Sequence, residues 1–189
     1  ESLREIDVRG PALALLELES IAKGLVVCDA LVKRAPVQLA FAEPVSPGKF
    51  LIVFSGEVAE VDESLHAGVE AAGPCVLDRL FLPQAAKGLV DALGGRFLQT
   101  RGESVGIVEP HTVASALLSA DAALKRAGVW LSRLHLAKGI GGKGYFMLSG
   151  PLDQVEAALE GAAHAIDPSL LVATELVQRP HPELRGPLL

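Results

Sequence analysis

The sequence predicts an α/β fold of the α+β kind, built from two tandem copies of one ferredoxin-like split βαβ domain. Three observations predict this fold: a long internal repeat, the same order of strands and helices in both halves, and an aliphatic composition. Half of the 189 residues are hydrophobic, but only 4% are aromatic. We therefore expect two cores packed from Ala, Leu and Val side chains.

The repeat holds its register through most of each half. Glu17 and Glu109 are 92 positions apart, and the same offset aligns Lys33 with Lys125. After a two-residue insertion the offset is 94, which aligns Gly48-Lys49 with Gly142-Lys143. This period is too long for a solenoid unit, so each copy is expected to be a complete domain.

Each copy is predicted to have the order β-α-β-β-α-β. In the first copy these elements lie at residues 12–18, 20–35, 37–42, 50–54, 58–72 and 76–82. In the second copy they lie at residues 104–108, 112–127, 129–137, 145–148, 152–165 and 170–177. Such an order gives a sheet covered by helices in each domain.

The boundaries of these elements have local causes. Ser20 and Thr112 are natural N-caps of the first helices, because a hydroxyl can accept a hydrogen bond from an unpaired amide of the first turn. Pro36 and Gly128 end the same helices. We expect an N-terminal extension at residues 1–11, a first domain at 12–95 and a second at 104–189, with a glycine-rich seam near residues 94–102.

Charge, hydropathy and cysteine content exclude several functions. The net charge is −6 and the 17 basic residues are scattered, whereas nucleic-acid binding needs a basic face. No apolar run approaches the roughly 18 residues of a membrane-spanning helix, and no secretion signal is apparent. Two cysteines without metal-ligand spacing fit a reducing compartment. We expect a cytoplasmic protein without metal, nucleic-acid or membrane partners.

One glycine-rich segment raises the question of a phosphate site. Gly139-Ile140-Gly141-Gly142-Lys143-Gly144 matches the G-x-G-x-x-G pattern, but a dinucleotide site needs a helix after it. Tyr145-Phe146-Met147-Leu148 reads as a strand, so a hairpin turn with positive φ angles accounts for the segment better. With no zinc spacing and no nucleophile elbow, no catalytic residues are predicted and no enzyme is expected.

Several motifs occur in the same order in both copies. The first copy contains Leu16-Glu17-Leu18-Glu19-Ser20-Ile21-Ala22-Lys23-Gly24, then Ser46-Pro47-Gly48-Lys49-Phe50-Leu51 and Ser55-Gly56. The second contains Gly139-Ile140-Gly141-Gly142-Lys143 and ends with Arg179-Pro180-His181. Over residues 12–185 this set resembles the tandem-domain, trimeric class of bacterial microcompartment shell proteins, close to the class of propanediol-utilisation compartments.

The resemblance implies a homotrimer whose six lobes form a flat pseudo-hexamer with a central pore. It also implies assembly with hexameric and pentameric shell proteins, in a compartment shell in the bacterial cytoplasm. The implied pore residues are Val45, Ser46, Pro47, Gly48, Lys49, Ile140, Gly141, Gly142 and Lys143. The implied tile-edge residues are Asp29, Lys33, Asp121, Lys125, Arg179, Pro180 and His181. The first copy has Leu82-Pro83-Gln84 in place of the arginine motif, so its edge contact is expected to differ.

Ser46 stands where some relatives carry a cysteine that ligates an iron–sulfur cluster. A hydroxyl is a poor substitute for a soft thiolate, so no cluster and no other cofactor is expected. The pore is then bordered by hydroxyls, backbone amides and the lysines Lys49 and Lys143. These groups favour small polar or anionic metabolites.

Two other interpretations remain open from the sequence. One is a duplicated ferredoxin-like regulatory module that binds a small ligand in its glycine turn. The other is a small-molecule enzyme that uses the turn as an anion site. Only the shell protein should form trimers that spread into sheets.

Overall fold

The computed structural model describes residues 5–98 and 102–185, which fold into two compact units. Within the described chain, the first unit comprises residues 5–85 together with residues 137–142. The second comprises residues 86–136 and 143–185. A short segment of the second repeat therefore packs as part of the first unit.

The first unit has the predicted element order. Its elements are β1 (Ala12–Leu18), α1 (Ile21–Arg34), β2 (Gln38–Val45), β3 (Lys49–Gly56), α2 (Val58–Ala72), a 3-10 turn (Gly73–Cys75) and β4 (Val76–Leu82). The strands form one antiparallel sheet in the order β2-β3-β1-β4. The strand pair β2–β3 is longer than predicted, and it continues to a tight turn between Val45 and Lys49.

The second unit repeats this order after one additional helix. Its elements are α3 (Lys87–Leu93), β5 (Ser104–Pro110), α4 (Val113–Arg126), β6 (Trp130–Leu136), β7 (Gly144–Gly150), α5 (Leu152–His164), a 3-10 turn (Pro168–Leu170), β8 (Leu171–Gln178) and a last 3-10 turn (Pro182–Arg185). The sheet order is β6-β7-β5-β8, again antiparallel. The α+β fold class is confirmed in both halves.

The helix caps follow the sequence prediction. The Ser20 hydroxyl accepts a hydrogen bond from the Lys23 amide at 3.2 Å, and the Thr112 hydroxyl accepts one from the Ser115 amide at 3.1 Å. Each bond satisfies an amide that has no partner within its own helix. Both helices end one residue before an extended Ala35 or Ala127.

The core of the first unit lies between its sheet and the two helices. Side chains of β1 and β3 on this face interdigitate with α1 and α2; among the largest are Leu16, Leu31, Ile52 and Phe54. Gly24 of α1 lies directly against the Phe50 ring, where a β-carbon would overlap the ring atoms. A small residue is required there because helix and strand approach so closely.

Among the α-helices of the described residues, α3 is the one that the sequence analysis missed. Its seven residues are too few for a stable isolated helix, so packing must stabilise it. Leu89, Ala92 and Leu93 are buried, and the helix contacts α4 and β6. Residues 86–95, which the sequence analysis assigns to the first domain, therefore pack in the second unit.

The described part of the N-terminal extension belongs to the first unit. Ile6 is buried, and the Arg9 amide donates a hydrogen bond to the Ser55 hydroxyl at 2.9 Å. The Ala85 amide donates to the Pro11 carbonyl at 3.1 Å. The extension thus continues the packing of β1 and β3.

Candidate functional site

The first implied pore turn connects β2 and β3. Val45 is buried, whereas Ser46, Pro47 and Gly48 are exposed. The Gly48 amide donates a hydrogen bond to the Val45 carbonyl at 3.0 Å, which closes the turn. The turn therefore presents one hydroxyl and its backbone groups to solvent.

Three of the second set of implied pore residues, Ile140, Gly141 and Gly142, lie in segment 137–142, which packs as part of the first unit. Gly142 has a φ of +77°, and a β-carbon there would lie 2.7 Å from the Ser46 carbonyl oxygen. Both the backbone conformation and the close approach require glycine at this position. The two turns that the sequence analysis assigned to a pore thus lie side by side.

Both lysines that follow the turns form ion pairs. The Lys49 ammonium lies 3.5 Å from a carboxylate oxygen of Glu17, whose side chain is only 2% exposed. The Lys143 ammonium lies 3.3 Å from a carboxylate oxygen of Glu109, whose side chain is 40% exposed. In each pair the carboxylate offsets the field of the ammonium, so the attraction of either lysine for an anion is weakened.

Sequence reasoning missed these two acidic partners, although the repeat contains the signal. Glu17 and Glu109 are equivalent positions of the repeat, as are Lys49 and Lys143. A glutamate and a lysine occur at equivalent positions in both copies, and this predicts a contact between them. In the first copy, Glu17 on β1 pairs in register with Leu51 on β3, and Lys49 lies two residues before Leu51. Glu17 and Lys49 are therefore on the same face of the sheet.

The implied edge residues of the first repeat are exposed. Asp29 and Lys33 lie one turn apart on α1, and their charged atoms are 2.6 Å apart. Both side chains are more than half exposed. A surface pair of this kind contributes little to folding, so both groups remain accessible to a neighbouring protein.

The equivalent pair of the second repeat has a different environment. Asp121 and Lys125 are again 2.6 Å apart, but the Asp121 side chain is almost fully buried. Its second carboxylate oxygen accepts a hydrogen bond from the Ala86 amide, at the start of α3, at 2.7 Å. Asp121 thus holds α3 in place, and Lys125 is the more exposed member of the pair.

The arginine segment of the second repeat lies beside β5. Arg179 has a positive φ of 46°, its amide donates to the Glu103 carbonyl at 3.0 Å, and its guanidinium lies 3.5 Å from the Glu103 carboxylate. Pro180 is buried and His181 is exposed. The guanidinium remains highly exposed, so it is accessible at the surface.

The donor groups present at the first turn do not fit an iron–sulfur cluster. Ser46 supplies a hydroxyl, and the two cysteines lie elsewhere, in α1 and before β4. Burial raises the pKa of the Cys28 thiol, which disfavours the thiolate that metals bind. Among residues 5–98 and 102–185, no group of three His, Cys, Asp or Glu side chains could hold a metal ion.

A surface cleft lies within the second unit. It has a volume of about 370 Å³ and lies between α3 and β6, bordered by Lys87, Asp91, Arg96 and Trp130. Hydrogen bonds from Lys87 and Arg96 lower the pKa of the Asp91 carboxyl. The carboxylate is thereby kept ionised. Its ion pairs with Lys87 and Arg96 link side chains on the exposed side of α3.

Comparison with known proteins gives consistent matches. The BMC domain family model matches residues 12–85 and 104–180. The chain is 37% identical over 171 residues to the bacterial microcompartment shell protein PduT of Citrobacter freundii, covering 90% of this chain and 93% of that protein. It is also 33% identical over 61 residues to the carboxysome shell protein CcmK2 of Synechocystis, covering 32% of this chain and 59% of that protein.

A solved structure is similar over nearly the whole chain. The crystal structure of a microcompartment protein from Desulfitobacterium hafniense has a TM-score of 0.82 and 33% identity, covering 94% of this chain and 99% of that chain. In the part of the chain that the structure describes, no helix has both the length and the apolar character of a membrane span.

Proposed function

The chain belongs to the BMC-domain family of bacterial microcompartment shell proteins, and we propose that three copies of it close into a trimeric, pseudo-hexagonal shell tile. Its role is that of a structural shell protein. Beyond this role, we propose that the tile contains three chains, has a central pore and assembles with other shell proteins. It places the protein in a shell in the bacterial cytoplasm, in contact with hexameric and pentameric shell proteins.

The observation that carries the trimer is the complete duplication of the domain within one chain. Each half has its own four-stranded sheet in the same strand order, and each matches the BMC domain. Cyclic closure of three chains gives six similar lobes. Six lobes suit a position in a hexagonal layer, whereas one chain alone offers only two.

The pore of this tile is proposed to form where the paired turns of three chains meet. The exposed groups are the Ser46 hydroxyl and backbone groups of the two glycine turns. Because Glu17 and Glu109 pair with the nearby lysines, small uncharged polar metabolites fit this lining better than anions do.

No cofactor and no catalytic role are part of the proposal. The Ser46 hydroxyl does not replace a thiolate, and the turn contains no carboxylate, imidazole or thiol that could act as a base or nucleophile. The turn is therefore assigned a passive role in permeation.

Solution mass and imaging test the proposed function. Analytical ultracentrifugation of the purified chain is expected to give a trimer of about 59 kDa, since one chain has a mass of 19.7 kDa. Negative-stain images at higher concentration are expected to show sheets with hexagonal packing. A stable monomer that never forms sheets would contradict the proposal and would suit a ligand-binding module instead.

A further inference from the structure

A small cleft in the first unit lies between helix α2 and strand β4, which is an edge strand of its sheet. This α2–β4 cleft has a volume of about 280 Å³ and is bordered by Leu65, His66, Val69, Arg79 and Phe81. Pockets that bind small molecules have volumes of about 300–1,000 Å³. The cleft therefore has a size that suits a ligand at the small end of this range.

Three of the five side chains give the cleft an apolar wall. Leu65 is buried, and Val69 and Phe81 are partly buried and pack against the core of the first unit. Because the core lies behind them, these side chains are held in place. An apolar group gains free energy when it leaves water for such a wall, whereas a small hydrated ion does not. The wall thus favours a ligand that has an apolar part.

Arg79 supplies the positive charge of the cleft. Its backbone amide donates a hydrogen bond to the Asp78 carboxylate at 2.8 Å. Its guanidinium, in contrast, has no carboxylate partner within the ranges that the structure describes. A guanidinium keeps its charge at any physiological pH and presents a planar row of donors. Arg79 is therefore available to bind a carboxylate.

His66 is the second polar residue at the cleft. Its Nδ1 atom lies 2.8 Å from the Asp62 carbonyl oxygen and 3.6 Å from the carboxylate of the same residue. Since one carboxylate already lies beside the imidazole, an anion in the cleft is attracted mainly by Arg79. The imidazole provides a polar rim opposite the apolar wall.

The cleft beside α3 does not have an available cation of this kind. Its lysine and arginine, Lys87 and Arg96, both form ion pairs with Asp91. An incoming anion would have to compete with that carboxylate for both cations. Of these two clefts, the α2–β4 cleft is the better anion site.

The second repeat shows that the fold does not require these polar residues. Thr174 takes the place of Arg79 in the sheet register, and Glu160 takes the place of His66 at the repeat offset of 94. The second unit nevertheless forms the same sheet and the same helix. The arginine and the histidine of the first repeat therefore serve something other than the common fold.

We propose that the α2–β4 cleft binds a small organic monocarboxylate. The carboxylate accepts two parallel hydrogen bonds from the Arg79 guanidinium, and the apolar body of the ligand packs against Leu65, Val69 and Phe81. This site is separate from the turns of the proposed pore. The inference goes beyond the shell tile and does not depend on the number of chains in it.

A peptide strand suits this place less well than a small molecule does. An edge strand can pair with an extended peptide through its unpaired amides and carbonyls. In β4, however, the Arg79 amide is already bonded to Asp78. A charged side chain and an occupied amide at the middle of the strand both disfavour strand addition.

Three probe molecules separate the charge from the apolar body of the ligand. Saturation-transfer NMR of the purified full chain is expected to show saturable binding of benzoate. Benzamide has the same ring without the charge, and acetate has the charge without the ring. Each of these two is expected to bind about tenfold more weakly than benzoate, or weaker still. Equal binding of benzamide and benzoate would overturn the proposal.

A substitution of Arg79 tests whether benzoate binds in this cleft. Arg79→Gln removes the charge and should weaken benzoate binding about tenfold or more. Arg79→Lys keeps the charge but loses the planar pair of donors, so its affinity should lie between those of the native chain and Arg79→Gln. Arg126→Gln is the matched control, because it removes the same charge from an exposed arginine of α4 in the second unit; its benzoate affinity should be that of the native chain.

Two further measurements keep the result distinct from that of the shell tile. Circular dichroism shows whether each variant is folded, and sedimentation shows whether each has the mass of the native protein. If benzoate does not saturate the native chain, or binds folded Arg79→Gln as tightly, the site assignment is wrong and the proposed trimer is unaffected. Saturable, Arg79-dependent binding to a chain that stays monomeric would support the site and contradict the tile.

Discussion

Glu17 is the residue whose environment most changes the interpretation of the pore region. Its carboxylate is buried near the end of the inner strand β1, where it pairs with Lys49. The same two residue types pair in the second repeat in a more exposed setting. A lysine beside a glycine turn suggests an anion site when it is considered alone. With its partner included, it instead fixes the end of the turn to the sheet.

The two copies of this ion pair allow a controlled test at the residue scale. Glu17→Gln leaves Lys49 without its partner in a largely buried site, and we expect a loss of about 1–3 kcal/mol in the free energy of unfolding. Glu109→Gln removes the exposed pair and should cost less than about 1 kcal/mol. Urea unfolding of both variants, at the same protein concentration, measures the difference. Equal losses would contradict the assigned environments.

At the scale of elements, α3 makes the two repeats chemically different. The helix begins at an amide that donates to buried Asp121, and its apolar residues pack against α4 and β6. Asp121 therefore serves both Lys125 and α3. The equivalent Asp29 forms an ion pair with Lys33 at the surface. The aspartate–lysine motif of the repeat thus has a packing role in one copy and an exposed position in the other.

Substituting each aspartate by alanine tests this difference. Asp121→Ala removes a buried acceptor from the α3 amide and is expected to lower the free energy of unfolding by about 1–3 kcal/mol. Asp29→Ala removes an exposed pair one helical turn apart and should cost no more than about 0.5 kcal/mol. Chemical denaturation followed by circular dichroism gives both values. A larger loss for Asp29→Ala would be inconsistent with the described hydrogen bond.

On the scale of the whole molecule, the proposed tile edge and the proposed pore turn involve different parts of the first unit. The edge residues Asp29 and Lys33 are exposed on α1, whereas Ser46 is exposed in the turn between β2 and β3. We therefore expect a change at the edge to leave the turn intact.

Lys33→Glu tests the edge separately from the trimer. Reversing the charge places two carboxylates together at the edge, and we expect trimers in solution that no longer spread into sheets. Negative-stain imaging shows whether sheets form, and sedimentation shows whether the trimer is retained. Glu156→Lys, a charge reversal at an exposed position of α5, is the control and should still form sheets. If the Lys33→Glu variant still formed sheets, Lys33 would not take part in the edge contact.

The sequence alone determined the fold class, the duplication and nearly all element positions. Hydrophobic periodicity, N-caps and helix-ending residues act over a few neighbours, and a repeat is visible directly in the residues. The turns and their lysines could also be found, because glycine and proline constrain the backbone locally. The family resemblance rested on the same local motifs.

Only the tertiary structure decided which charged residues are buried and which surfaces stay open. The burial of Glu17, the covering of Asp121 by α3 and the exposure of α1 all depend on residues that are distant in sequence. Local sequence patterns did not predict helix α3, because a seven-residue helix forms only when packing stabilises it. Asp29 and Asp121 are the same residue type at equivalent positions, so their different environments arise from long-range packing rather than from residue type.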